Sequence, residues 1–357
     1  MTQPVIFNES LIRRYDQSGP RYTSYPTAAQ FHANISEDDY RRWAKHSNED
    51  PIPRALSLYF HIPFCDTVCF YCACTKVVTK DHSRAARYID YLGKELELQA
   101  PLFDHDRQVE QLHWGGGTPT FLNNDEIRRL MDMTRQHFSL LSDDSGEYSI
   151  EIDPRSVDDL KLQVLREVGF NRISLGVQDF DPDIQKAVNR IQDLTTTLGV
   201  LNTARALGYK SINKDLIYGL PLQTTETFSE TLRRTIDMGP DRIAVYNYAH
   251  LPTRFKPQRR INEADLPSPQ TRLDILQKTI HLLTDAGYVY IGMDHFARPD
   301  DELAIAQENG TLHRNFQGYS THSDCDLVAI GMSSIGHVCD NYNQNVRDLE
   351  QYYALLD

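Results

Sequence analysis

The stretch Leu56-Ser-Leu-Tyr-Phe-His-Ile62-Pro-Phe-Cys65-Asp-Thr-Val-Cys69-Phe-Tyr-Cys72-Ala-Cys74 joins a short apolar run to a cluster of cysteines. The run Leu56–Ile62 has the length and composition of a strand. Similar runs predict strands over Val109–Trp114, Tyr148–Ile152, Arg172–Val177, Ser211–Ile217 and Arg242–Tyr246. Helical spacing fills the gaps. Ile89, Leu92 and Leu96 share a face between Ser83 and Gln99, and Ile127, Leu130 and Met131 between Asn124 and Phe138. Phe228, Leu232 and Ile236 form a later stripe, and another helix opens with Ser268 as N-cap and Pro269 as its first residue. Repeated strand–helix units imply an α/β fold with a parallel sheet and right-handed crossovers. Such a sheet opens as a doubly wound fold or curls into a full or partial barrel, and ligands sit at its C-terminal strand ends. Residues 1–50 are polar and irregular, and residues 288–340 look like strand and loop.

Four of the six cysteines fall between Cys65 and Cys74, too crowded for a disulfide framework. Their spacing is Cys-x3-Cys-x2-Cys plus Cys74. A structural zinc site takes four ligands, usually as two separated pairs, and a ferredoxin-type cluster takes four thiolates. Three close thiolates leave one iron of a cubane without a protein ligand, open to a small molecule. Phe64, Val68, Phe70 and Tyr71 would shield such a cluster. Zinc held by three of these cysteines with Cys74 or a histidine is the alternative. Cys74 is the candidate catalytic side chain; it could equally stabilise the loop or do nothing.

The chain has 357 residues, 40% of them apolar, and a formal net charge of −13. That balance argues against nucleic acid, which needs clustered Lys and Arg. No apolar run is long enough to span a bilayer, and the N-terminus lacks a signal-peptide layout, so the expectation is a cytoplasmic protein. Polar residues recur at the expected strand ends: His113-Trp-Gly-Gly-Gly-Thr-Pro-Thr120, Glu151, Gln178 and Asp215. Each alone reads as a turn, cap or surface residue; together they favour a shared pocket. His61, His113, His295 and His313 default to structural histidines.

The cysteine spacing, with an aromatic before the last cysteine, resembles the radical S-adenosylmethionine superfamily. Further segments resemble one of its families, the oxygen-independent coproporphyrinogen III oxidases. They include Ser18–Thr27, Tyr59–Cys65, Leu112–Thr120, Asp215–Pro221, Tyr246–Pro252, Gly292–Asp301 and His313–Tyr319. The resemblance implies a partial (β/α)6 barrel over 51–290, with an N-terminal extension over 1–50 and a truncated C-terminal region over 291–357. It implies a [4Fe–4S] cluster on Cys65, Cys69 and Cys72. A first S-adenosylmethionine would lie near Tyr59, Gly116, Glu151 and Ile335, and a second near Tyr71, Gly117, Thr118, Gln178, Arg190, Asp215 and Ala249. It also implies coproporphyrinogen III as substrate and two propionates oxidatively decarboxylated to vinyls. An electron donor such as flavodoxin or ferredoxin would serve a monomer that binds neither membrane nor nucleic acid. Arg21, Arg298 and Arg314 are candidate cations for the substrate carboxylates.

Two departures from the family stand out. The family continues into a further C-terminal domain beyond the last residues present here, which leaves an inactive truncated homologue as one alternative. A haem chaperone of radical type is a separate alternative, against which the Pro20–Tyr25 segment and Cys74 favour the oxidase. Lys214 also sits inside the fifth strand, where the family has an apolar residue. Alternation puts it opposite Asp215, towards the helices, and it is expected to reach solvent or a carboxylate.

Overall fold

Residues 7–15 and 27–357 are described in the computed structural model. Strand β1 (Leu56–Ile62) buries Leu56, Leu58, Phe60 and Ile62 on one face and turns Ser57, Tyr59 and His61 to the other. The same alternation recurs in β2 (Gln108–Gly116), β3 (Glu147–Ile152), β4 (Arg172–Gln178), β5 (Ser211–Tyr218) and β6 (Arg242–Asn247). The outer positions are apolar and buried: Leu112 and Trp114, Tyr148 and Ile150, Ile173 and Leu175, Leu216, Ile243 and Val245. The inner positions, Gln111, His113, Ser149, Glu151, Ser174, Asn213 and Asp215, line one internal cavity.

Strands β1 to β6 pair in chain order, each parallel to the next. The crossovers run through α1 (Ser83–Gln99), α2 (Asn124–His137), α3 (Asp159–Glu167), α4 (Leu194–Ala206) and α5 (Thr225–Met238). Helix α6 (Pro269–Asp285) follows β6, and the Ser268 side chain accepts from the Thr271 N–H as its cap. The outer neighbour of β6 is β8 (His295–Ala297), antiparallel to it and to β7 (Val289–Gly292). The outer neighbour of β1 is β9 (Asp326–Ile330), followed by β10 (Ile335–Val338) and β11 (Asn341–Gln344). No pairing joins β6 to β1 among the described residues, so the sheet is a partial (β/α)6 barrel. A C-terminal helix, α7 (Leu349–Leu356), docks through Tyr352, which donates to the buried Glu95 of α1 at 2.5 Å. Burial pushes the Glu95 carboxyl up, and hydrogen bonds from Tyr352, Gly331, Asn345 and Gln99 oppose that shift.

Three expectations are corrected. The polar stretch 1–50 contains a regular helix, Glu37–Asn48, started by a capping box of Ser36 and Asp39. Only Ala44 and Ser47 of it are buried, so its apolar periodicity is too faint to read. The stretch 288–340 holds the helix Glu302–Asn309, capped by Asp301, as well as strands. Among the described residues Lys214 reaches neither solvent nor a carboxylate. It is fully buried on the helix side of β5, its Nζ against Met238 Sδ and 6.0 Å from the Phe180 ring. Burial lowers its pKa to about 7.

Candidate active site

The cysteine loop leaves the C-terminal end of β1 and is held from several sides. Phe64–Cys65 pairs with Val77–Val78, closing the loop on itself. The Phe70 N–H donates to Val188 O at 2.9 Å, and Asn189 Nδ2 donates to Val68 O at 2.8 Å. Gln258 is buried and donates to both Tyr71 O, at 2.9 Å, and Ala249 O, at 3.2 Å. Phe70 and Tyr71 pack against Ile184, Val188, Leu220 and Tyr248. A short loop carrying four cysteines thus takes its shape from distant segments.

Cys65, Cys69, Cys72 and Cys74 are free thiols on the wall of one cavity of about 590 Å³. Thr118 Oγ1 lies 3.4 Å from Cys65 Sγ, and buried Arg190 donates to Cys69 Sγ at 3.6 Å. Arg190 is fixed by Asp153 at 3.1 Å and by Gly176 O at 2.6 Å. Burial pushes the Cys65 thiol up to about 11. The hydrogen bond between Cys72 and Cys74 holds Cys72 below its ordinary value and Cys74 above. Polar groups beside Cys65 Sγ and Cys69 Sγ suit thiolates that ligate a metal cluster.

The rest of the wall comes from strand ends. Gly116 has φ 123°, and a Cβ on Gly117 would stand 2.5 Å from Pro63 O, so neither position has room for a side chain. The Gly116 N–H donates to Glu151 at 3.2 Å, and His113 Nε2 stands 3.6 Å from the same carboxylate. Asp215 accepts from Ser174 at 2.7 Å and Asn213 at 2.9 Å, and burial raises its pKa to about 6. Tyr59 stacks on His113 and shares a hydrogen bond of 3.2 Å with His61 Nδ1. His61 Nε2 faces Thr75 O at 3.0 Å, so that nitrogen carries the proton and Nδ1 accepts from Tyr59. Two carboxylates, exposed backbone at the glycines and this volume suit a nucleotide-sized ligand.

Comparisons with known proteins show the family of the chain. Residues 59–235 match the model of the Radical SAM superfamily. The oxygen-independent coproporphyrinogen III oxidase of Pseudomonas aeruginosa is 56% identical over 357 residues, spanning 100% of this chain and 77% of that one. This chain belongs to the oxygen-independent coproporphyrinogen III oxidase family. The Escherichia coli member is 52% identical over 355 residues, spanning 99% of this chain and 76% of its own. The solved structure of coproporphyrinogen III oxidase from Escherichia coli, described as a Radical SAM enzyme, superposes with a TM-score of 0.93 at 50% identity. It covers 99% of this chain and 79% of that one.

Of the positions singled out from the family motifs, Cys65, Cys69, Cys72, Cys74, Tyr71, Gly116, Gly117, Thr118, Glu151, Gln178, Arg190 and Asp215 line the cavity. Tyr59, Ala249 and Ile335 do not. Tyr59 stands behind His113, Ala249 is tied to Tyr71 through Gln258, and Ile335 lies on β10 paired with Gln344. Of the candidate cations, Arg21 lies outside the described residues. Arg298 belongs to the opposite end of the barrel: β8 runs antiparallel to β6, so Ala297 pairs with Arg242 and Arg298 donates its N–H to Asp241 O. Arg314 sits 4.7 Å over the Tyr319 ring in a hairpin that lines the internal cavity. Sequence reading missed Asp153, Ser174, Asn213 and Gln258. Asn213 was within reach, two residues from Asp215 on the same face; Gln258 carries no local signal.

Proposed function

We propose that this chain converts coproporphyrinogen III to protoporphyrinogen IX by oxidative decarboxylation of two propionates to vinyls. The observation that carries the reading is the set of free thiols at Cys65, Cys69 and Cys72 on a cavity that Glu151 and Asp215 also line, in a chain 56% identical to a named oxidase. When bound, a [4Fe–4S] cluster and S-adenosylmethionine supply the one-electron chemistry and the abstraction of hydrogen from carbon.

The chain's own residues bind and orient. Cys65, Cys69 and Cys72 are the thiolate ligands, with Thr118 and Arg190 donating to two of the sulfurs. Within the cavity, one S-adenosylmethionine is assigned to Gly116 and Glu151, and a second to Tyr71, Gly117, Thr118, Gln178, Arg190 and Asp215. Glu151 and Asp215 accept from ribose hydroxyls, as carboxylates do in dinucleotide sites. Cys74, exposed on the rim, is the thiol offered to substrate. The donor of electrons is a small flavodoxin or ferredoxin type of protein, and the chain works as a monomer in the cytoplasm. Among the described residues no helix is long and apolar enough to cross a membrane.

Anaerobic reconstitution with iron and sulfide tests the reading. Addition of reductant, S-adenosylmethionine and coproporphyrinogen III should then yield 5′-deoxyadenosine and the divinyl product. Serine at any of Cys65, Cys69 or Cys72 should abolish both. Formation of neither product by a cluster-loaded chain would refute the assignment.

A further inference from the structure

A second group of ligating side chains converges at the N-terminal end of the barrel strands, away from the cysteine loop. Glu110, His322 and Cys325 bring a carboxylate oxygen, a ring nitrogen and a thiol sulfur within 4.8 Å of one another. They come from two segments that strand pairing fixes. Val109 pairs with Leu56 and Gln111 with Ser57, so Glu110 is the extra residue of a bulge in β2. Bulges re-aim a side chain out of the regular alternation. On the other segment, the His322 N–H donates to Ser320 Oγ at 3.0 Å, and that hydroxyl also accepts from Gln111 at 3.2 Å. Cys325 is buried immediately before β9, which pairs with β1.

The imidazole of His322 lies between two carboxylates. Nδ1 is 3.5 Å from Glu110 Oε2, and Nε2 is 3.7 Å from Glu147 Oε2. Both separations exceed a good hydrogen bond. Glu147 is itself held by Gln111 at 3.1 Å. A metal-binding histidine characteristically turns its other ring nitrogen to such an anchored carboxylate, which fixes tautomer and orientation. Mixed sulfur, nitrogen and oxygen donors suit a borderline cation of the zinc class, and three protein ligands leave a fourth position for water.

We propose that Glu110, His322 and Cys325 bind a zinc-class divalent ion, with Glu147 positioning His322. On binding, the Cys325 sulfur–hydrogen bond is replaced by a sulfur–metal bond and the proton passes to solvent. The ion ties the segment after the Tyr319–Ser320 strand to the start of β2. It lies about 20 Å along that strand from the glycines of the catalytic cavity, so its role is to hold the barrel floor.

Equilibrium dialysis of the cluster-loaded full chain against Zn2+, with iron and zinc measured on the same sample, tests this. The expected result is one zinc per chain beyond the iron, with iron unchanged. Zinc affinity should fall at least about 10-fold in Cys325→Ser and His322→Gln and about 10- to 100-fold in Glu147→Gln. Co2+ in place of zinc should give a thiolate charge-transfer band that Cys325→Ser removes. Glu110→Gln changes a half-exposed side chain and leaves the fold intact, so its zinc affinity decides the matter should the buried variants misfold. Zinc binding that displaces iron, or that is unaffected by Cys325→Ser or Glu110→Gln, would overturn the site.

Discussion

Replacing Lys214 with methionine should stabilise this protein, and by an amount that depends on pH. The amine is fully buried between Met238 and Phe180, and among the described residues no carboxylate stands beside it. Burial lowers its pKa from 10.5 to about 7, and nearby Arg205 adds to the shift. In the unfolded chain the amine takes up a proton near its ordinary value; in the folded chain it stays neutral until about pH 7. Between those values the unfolded state binds the extra proton, so folding stability rises with pH. The cost is absent above about pH 10.5, roughly 3 kcal/mol at about pH 8, and levels off near 5 kcal/mol below about pH 7, at about 1.4 kcal/mol for each pH step. Methionine keeps the length of the side chain and removes the amine, so Lys214→Met should recover most of that energy. Urea unfolding of both proteins between pH 6 and pH 10 reads it directly. The gain should shrink as pH rises. A gain independent of pH, or a less stable variant, would refute the reasoning.

Gly117→Ala should cost about 1–3 kcal/mol through the clash of its Cβ with Pro63 O, and iron bound after reconstitution should fall while far-UV circular dichroism is kept. Gln258→Leu should remove three hydrogen bonds at about 1 kcal/mol each, those to Tyr71 O and Ala249 O and that from the Leu251 N–H, and free the Tyr71 carbonyl. Its expected signature is faster loss of iron to a chelator, with unchanged iron release counting against a positioning role. S-adenosylmethionine affinity should weaken as pH falls through about 6, because Asp215 is raised to that value by burial and becomes protonated there. Asp215→Asn should bind more weakly at neutral pH and lose this pH step, measured by calorimetry.

The sequence alone carried the order of strands and helices, because apolar outer faces at period two alternate with helical stripes over the whole barrel. Leu56–Ile62 and Ser83–Gln99 are recovered to the residue. It also singled out the candidate cysteine ligands, since their spacing lies in one contiguous loop. The helix Glu37–Asn48 escaped because its buried face is two small residues, and the fate of Lys214 escaped because alternation gives a direction but not what waits there. Only the tertiary structure decided that Gln258 braces the loop and that Glu110 meets His322 and Cys325. It also decided that Arg298 stands at the far end of the barrel from the cysteines. The reason is common to all of these. Periodicity reports what each residue faces within its own element, whereas contacts between segments far apart in the chain depend on strand order, bulges and antiparallel returns that no local pattern encodes.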